Sequence, residues 1–221
     1  MLESYPEYQR KARSLGVPVL GAGAIYPFEE SSFVIDPIRI PEHWPKGYGM
    51  DVGWNKTAGL FGAHDQSADI LYLWSEHYLG QSDPVVHTHG IKSRGDWLPG
   101  KIDPASRGRG QIDGRKLFQV YQELGLNISE ANNTVGDSRH LHGGIYEVYM
   151  RFSQGRIKVF SSLTNFLSEI RIYRRDENGK IVKQHDHLMD CLRYMVVDGV
   201  GWMETQPEHQ YQQRKGYGWQ V

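Results

Sequence analysis

The sequence predicts an α/β domain: a mixed sheet whose first three strands are antiparallel, flanked by helices. Two patterns along its 221 residues carry that expectation. Three short β-like runs at residues 48–54, 58–64 and 70–78 follow one another, separated by the turn clusters Asn55-Lys56-Thr57 and Asp65-Gln66-Ser67-Ala68-Asp69. Beyond them strand-like and helix-like segments alternate, which places helices on the faces of a sheet.

Taken in order, residues 1–46 read as an arm. A polar stretch with helical spacing covers residues 3–15 and Gly16 is its stop. Residues 17–46 are broken repeatedly by Gly and Pro, a composition that runs extended over a surface more readily than it builds a core. The compact domain is expected over residues 47–200. After the three strands, residues 84–94 read as a helix, and a short apolar strand ends at Asp103. Leu117, Val120, Tyr121 and Leu124 stand at i, i+3, i+4 and i+7, with Gly125 as the terminator. Ile145, Val148, Tyr149 and Phe152 repeat that spacing and Gly155 ends it. Residues 156–161 read as a strand, and Leu163, Phe166, Leu167 and Ile170 as another helical face. Residues 170–173 and 180–183 flank a turn in which Asn178-Gly179 suits a tight hairpin. A last helix is expected over 186–197, and 201–221 read as a polar tail. No internal repeat is present.

Bulk properties exclude several classes. Hydrophobic residues make up 39%, enough for a packed core. A mean hydropathy of −0.57 and the lack of a long apolar run argue against a membrane span. No secretory signal pattern opens the chain. The single cysteine, Cys191, cannot form an intrachain disulfide, which suits a reducing compartment. A net charge of −1 gives no global bias toward nucleic acid, so local patches must carry any such binding.

Three aspartates stand out: Asp51 in Gly-Met-Asp-Val-Gly, Asp103 before Pro104, and Asp190 on the last helix. A charge in an apolar strand is costly unless paired or bound to metal. The plainer alternatives are a solvent-facing Asp51, a turn-initiating Asp103, and an amphipathic helix whose polar face carries Asp186, Asp190 and Arg193. Brought together, the three carboxylates would suit Mg²⁺ or Mn²⁺, hard cations that prefer carboxylate oxygens. Two such ions roughly 3.5–4 Å apart can activate water and stabilise a leaving 3′ oxygen.

Six of the ten histidines form His-x-His pairs: His87/His89, His140/His142 and His185/His187. Zinc is the rival expectation. The first and third pairs lie in helix-like segments, where i and i+2 point apart. His187, three residues before Asp190, shares its helix face and is a candidate neighbour of a metal, water or phosphate. Basic residues fall in three groups: Arg107, Arg109, Arg115 and Lys116 after Asp103; Arg151, Arg156 and Lys158; and Arg174, Arg175, Lys180 and Lys183 around the hairpin. Beside a carboxylate site they suit phosphate contact without base readout, and solvated surface charge is the alternative for each. The chain has no Gly-x-x-x-x-Gly-Lys-Ser/Thr loop and no Gly-x-Ser-x-Gly elbow.

An ordered set of segments resembles a known family. LGAGAIYPFEE, YGMDVGWNKTAGLFGAHD, YLWSEHY, IDPASRGRGQIDG, LFQVYQELGL, GIYEVYMRFSQGRIKVF and NFLSEIRIYRRDENGKIVKQHDHLMDCLRY cover roughly residues 20–197. They resemble the C-terminal nuclease domain of the large terminase subunit of tailed double-stranded DNA bacteriophages, of the headful-packaging type. The resemblance implies an RNase H/integrase-like fold and a metal-dependent endonuclease that cuts concatemeric DNA during genome packaging. It maps the first-strand acid to Asp51, the second to Asp103 and the helical one to Asp190, with His187 beside it and Asp186 able to exchange roles with Asp190. It places an auxiliary hairpin at about residues 170–183. It implies two Mg²⁺ or Mn²⁺ ions, and double-stranded DNA as substrate. The implied partners are an ATPase domain missing from this sequence, a small terminase subunit and a portal protein, and the implied setting is the host cytoplasm, transiently at the procapsid portal. The segment around His140 and His142 is longer than the family pattern. Two other readings stay open: a different RNase H-like nuclease such as a junction resolvase or transposase core, and a DNA-binding or portal-docking module inactive in isolation.

Overall fold

The computed structural model describes residues 23–103, 117–132 and 138–207. Its centre is a seven-stranded mixed sheet. In chain order the described elements are α1 (Glu30–Phe33), β1 (Val34–Ile35), β2 (Lys46–Asp51), β3 (Thr57–Asp65), β4 (Ile70–Leu79), α2 (Pro84–Lys92) and β5 (Pro99–Ile102). They continue with α3 (Leu117–Glu123), β6 (Asn127–Glu130), α4 (Ser138–Ser153), β7 (Ile157–Phe160), α5 (Thr164–Ile172) and α6 (His187–Val196). Across the sheet the order is β1-β7-β4-β3-β2-β5-β6. β3 runs antiparallel to β2 and β4, and every other pair is parallel. The expected antiparallel meander is therefore present, and strand–helix alternation extends the sheet on both sides of it.

Side-chain alternation sorts the strands onto two cores. Tyr48 and Met50 of β2 point to one face, with Phe61, Ile91, Ile102 and Tyr121. The opposite face of the sheet joins Ala58, Leu60, Leu71 and Leu73 to α4, α5 and α6. Gly49 and Asp51, alternating with Tyr48 and Met50, therefore face α6. The aliphatic seam of α6, Leu188, Leu192 and Met195, is fully buried against this face.

The approach of α6 to β2 is closer than side chains usually allow. A β-carbon built on Gly49 would overlap the carbonyl oxygen of Cys191. On the neighbouring strand, one on Gly62 would overlap the Met195 methyl. Gly49 and Gly62 lower the sheet surface under α6, so the helix backbone lies directly on it.

Several sequence expectations are corrected. Residues 25–35 belong to the packed unit, because Ile25, Tyr26 and Phe33 are buried in the core and Val34–Ile35 adds an edge strand beside β7. The large aromatic rings of Tyr26, Phe28 and Phe33 cluster around Phe152 and supply the anchorage that Gly and Pro spacing conceals. At the other end, Met203 is buried and Glu204 bridges to Lys46, so the packing continues past residue 200. Residues 170–172 close α5 and do not form a hairpin arm. The hairpin is shorter, with a single bridge between Arg175 and Ile181, Gly179 at φ +77°, and the Asp176 carboxylate accepting the Asn178 and Lys180 amides. The Arg151, Arg156 and Lys158 group lies away from the aspartates. Arg151 and Arg156 pair with Asp69 in the β3–β4 turn, and Lys158 donates to the Ser32 carbonyl. Among the described residues no helix is long and apolar enough to cross a membrane.

One buried polar pair links β4 to α2. His87 Nε2 lies 3.1 Å from the Ser82 carbonyl, so it donates there, leaving His87 Nδ1 to accept from His77 Nε2 at 2.9 Å. Burial, with the adjacent His87 and Arg94, pushes His77 down to about 4. The unfolded chain therefore binds the proton that the native state refuses. Stability from this site is complete above about pH 6.5 and falls by about 3 kcal/mol as pH drops toward 4.

Two outcomes are expected. Chemical denaturation of a His77→Gln variant between pH 7 and 4 should show a shallower loss of stability than the parent; superimposable slopes would contradict the assignment. Gly49→Ala should cost about 3 kcal/mol, because the overlap is with backbone and α6 must move. An unchanged melting temperature would contradict the close approach.

Candidate active site

The parallel pairing of β2 with β5 brings two carboxylates to one sheet end. Met50 is paired with Ile102, and the Asp103 amide donates to the Met50 carbonyl at 3.2 Å. Asp51 is thus the last residue of β2, not a mid-strand one, and Asp103 immediately follows β5. These adjacent strand ends are where α/β sheets assemble their sites.

α6 adds the third member. Its N-terminal residue, His187, holds Asp51 through Nδ1 to Oδ2 at 2.7 Å. One turn on, Asp190 is buried with both oxygens engaged. Oδ1 accepts from Arg193 Nη2 at 3.0 Å and Nε at 3.2 Å, and Oδ2 accepts from Lys183 Nζ at 3.0 Å. Lys183 Nζ also lies 2.9 Å from Asp186 Oδ2. Asp186 is the residue just before α6, and its backbone carbonyl accepts the Asp190 amide at 2.9 Å.

Asp51 lies within the electrostatic reach of Asp190 and Asp103. Burial raises the Asp51 carboxyl, the His187 hydrogen bond opposes that rise, and the charges of Asp190 and Asp103 raise it further. His187 is raised in turn, chiefly by its bond to Asp51, against the effect of burial. Both shifts describe a shared proton or ion pair in a concentrated negative field. Such a field at hard oxygen donors fits a divalent cation, which would relieve the repulsion. Among the described residues, however, no three His, Cys, Asp or Glu side chains converge at metal-holding distance. Asp51 is turned to His187, and Asp190 to Lys183 and Arg193.

The remaining sequence candidates separate. Arg107, Arg109, Arg115 and Lys116 lie outside the described residues, as do the side chains of His140 and His142. Arg174 and Lys180 are exposed on the hairpin, while Arg175 donates to the Gly179 carbonyl at 2.9 Å. The zinc expectation gains no support from the described histidines, since His87 pairs with His77 and His187 with Asp51.

Sequence reasoning missed Glu169. It is 2% exposed on α5, and its Oε2 accepts the Leu188 amide at 2.6 Å while Oε1 accepts the Tyr78 hydroxyl at 2.7 Å. Asp186 makes no side-chain cap bond, so Glu169 caps α6 from a neighbouring helix. This cap fixes the turn that carries His187. The Tyr78 ring also meets the His187 imidazole, with centroids 6.4 Å apart. The signal available in the sequence was a lone acid among the apolar residues of α5.

Comparison with known proteins places this arrangement. No family model matches the chain. Over 200 residues, 88% of the chain, it is 31% identical to the terminase large subunits of Enterobacteria phage LP7 and Salmonella phage P22. The chain spans about two-fifths of the length of these relatives, 41% and 39% respectively. The P22 large terminase nuclease domain superposes with a TM-score of 0.71 at 29% identity, over 81% of this chain and 93% of that one. The large terminase nuclease of thermophilic phage G20c, solved with bound magnesium, shares the fold at 15% identity and a TM-score of 0.57, over 79% of this chain and 96% of that one.

The capping geometry is directly testable. Glu169→Ala should speed hydrogen exchange at the Leu188 and Met189 amides and cost about 2 kcal/mol of stability. Glu169→Gln, which keeps an acceptor oxygen, should retain most of both. Parent-like exchange protection in the alanine variant would contradict the assignment.

Proposed function

We propose that the chain is a terminase large-subunit nuclease domain, a divalent-metal-dependent endodeoxyribonuclease that cuts double-stranded DNA during phage genome packaging; its 31% identity to two terminase large subunits and its likeness to the P22 nuclease domain support the reading. The observation that carries the proposal is the meeting of Asp51 and Asp103 at adjacent parallel strand ends, under a helix that delivers Asp190 and His187.

Asp51 and Asp103 would hold Mg²⁺ or Mn²⁺, with Asp190 completing the set once Lys183 leaves its Oδ2. A bound pair of such ions supplies Lewis acidity, and charge neutralisation at the attacking and leaving oxygens. The chain's own residues do the positioning. His187 orients the Asp51 carboxylate through its Oδ2. Arg193, itself 3% exposed and fixed on α6, keeps Asp190 aimed along the helix face. Glu169 and Tyr78 hold the helix turn that carries both. Lys183, Arg174 and Lys180 lie on or next to the hairpin and would meet the phosphate backbone without reading bases. Little sequence specificity follows from a site built this way.

As part of a terminase large subunit, the activity would be coupled to an ATPase domain, and to a small subunit and portal in the host cytoplasm. Both oxygens of Asp190 are held by cations here, and that favours a slow enzyme until Lys183 gives way.

Asp51→Asn should abolish plasmid cleavage in Mg²⁺ or Mn²⁺ while the circular dichroism spectrum and melting temperature stay near the parent's. Retained cleavage by the purified variant would sink the proposal. A strong preference for four-way junctions over linear duplex would move it to a junction resolvase.

A further inference from the structure

We propose that Trp54 is a DNA-contacting residue that seats the duplex beside the carboxylates; the inference rests on the nuclease reading above. Trp54 is 68% exposed, the most exposed large hydrophobic side chain among the described residues. Leaving an indole in water forfeits the burial that its large apolar surface normally gains. Scattered exposed apolar residues need no explanation, but this one has company. Val85 and Val86, in the first turn of α2, are each 48% exposed, and Pro84 shares a cleft of about 110 Å³ with Trp54.

The backbone that presents the indole is held firmly. The Gln81 amide donates to the Trp54 carbonyl at 2.8 Å, and the Thr57 hydroxyl donates to the Gly53 carbonyl at 3.1 Å. A β-carbon on Gly80 would overlap the Asn55 carbonyl oxygen, so the loops after β2 and β4 are pressed together. A mobile loop tip could expose a tryptophan by accident, whereas a clamped one displays it.

Position selects the occupant. Trp54 is three residues beyond Asp51, on the chain leaving the carboxyl end of β2, so the two α-carbons are at most about 11 Å apart. A duplex rises about 3.4 Å per nucleotide along each strand. On a duplex whose phosphate reaches Asp51, a span of that length corresponds to about three base pairs from the cut. The Lys56 ammonium, 4.1 Å from the centroid of the Tyr78 ring, places a cation at the same end. An indole offers a flat apolar face for sugars and base edges and one N–H donor. It can wedge or stack without reading sequence.

The test uses the intact chain. A short fluorescent duplex is titrated in Ca²⁺, and plasmid cleavage is measured in Mn²⁺, for the parent, Trp54→Ala, Trp54→Phe and Asp51→Asn. Trp54→Ala should bind duplex about tenfold more weakly and raise KM by a similar factor, with kcat within about threefold of the parent. Trp54→Phe should recover most of the loss, and calorimetric Mn²⁺ affinity should not change in either variant. DNA affinity and KM within twofold of the parent in Trp54→Ala would overturn the inference. So would a change in sedimentation with unaltered DNA affinity, which would assign Trp54 to a protein contact. If Asp51→Asn is inactive and Trp54→Ala is parent-like, only the Trp54 inference fails. If Asp51→Asn still cuts, the nuclease reading fails first.

Discussion

The backbone of α6 rests on the backbone of β2, with the Cys191 carbonyl against Gly49, and the site depends on that contact. A residue with a β-carbon at position 49 would hold the helix off the sheet. Asp51, on the same face two residues on, would then lose its hydrogen bond to His187. The same descent places Asp190 within the electrostatic reach of Asp51 and lets Tyr194 sense all three aspartates. Helix and strand cannot drift independently, because Glu169 caps the start of α6 and Met195 fills the space above Gly62.

Within that frame the site is a balance of charge. Asp51, Asp103, Asp186 and Asp190 crowd one end of the molecule, and Lys183, Arg193 and His187 answer them. Buried carboxylates persist only when paired, hydrogen-bonded or bound to cations. Asp51 and Asp103 present the hard oxygens that Mg²⁺ and Mn²⁺ prefer, while the protein's own cations occupy Asp190. The hairpin leads directly into Lys183, so the segment proposed to meet DNA also carries the cation that Asp190 would exchange on taking a metal.

Much of this was legible in the sequence where local physics decides. Alternation and turn clusters marked β2, β3 and β4, and 3.6-residue spacing marked α3, α4, α5 and α6. Asp51 could be singled out as a charge within an apolar strand and Asp103 as an acid at the end of one. What depends on distant partners was not legible. The aromatic anchorage of Tyr26, Phe28 and Phe33 needs Phe152 from α4, so residues 25–35 read as an arm. Lys183 looked like one of several hairpin cations until its position between Asp186 and Asp190 was known. Glu169 carried no reading at all, because its partners Tyr78 and Leu188 come from elsewhere in the chain. Arg151 and Arg156 read as a possible phosphate patch, and only the β3–β4 turn shows that they serve Asp69.

The central claim is that the ends of β2 and β5 and the first turns of α6 form one cation site. A crystal of the chain soaked in Mn²⁺, with anomalous diffraction at the manganese edge, tests it most directly. The account predicts an anomalous peak within about 2.0–2.2 Å of carboxylate oxygens from both Asp51 and Asp103. It also predicts that Lys183 has withdrawn from Asp190. Manganese bound elsewhere, or no peak at Asp51 and Asp103 at saturating metal, would contradict it.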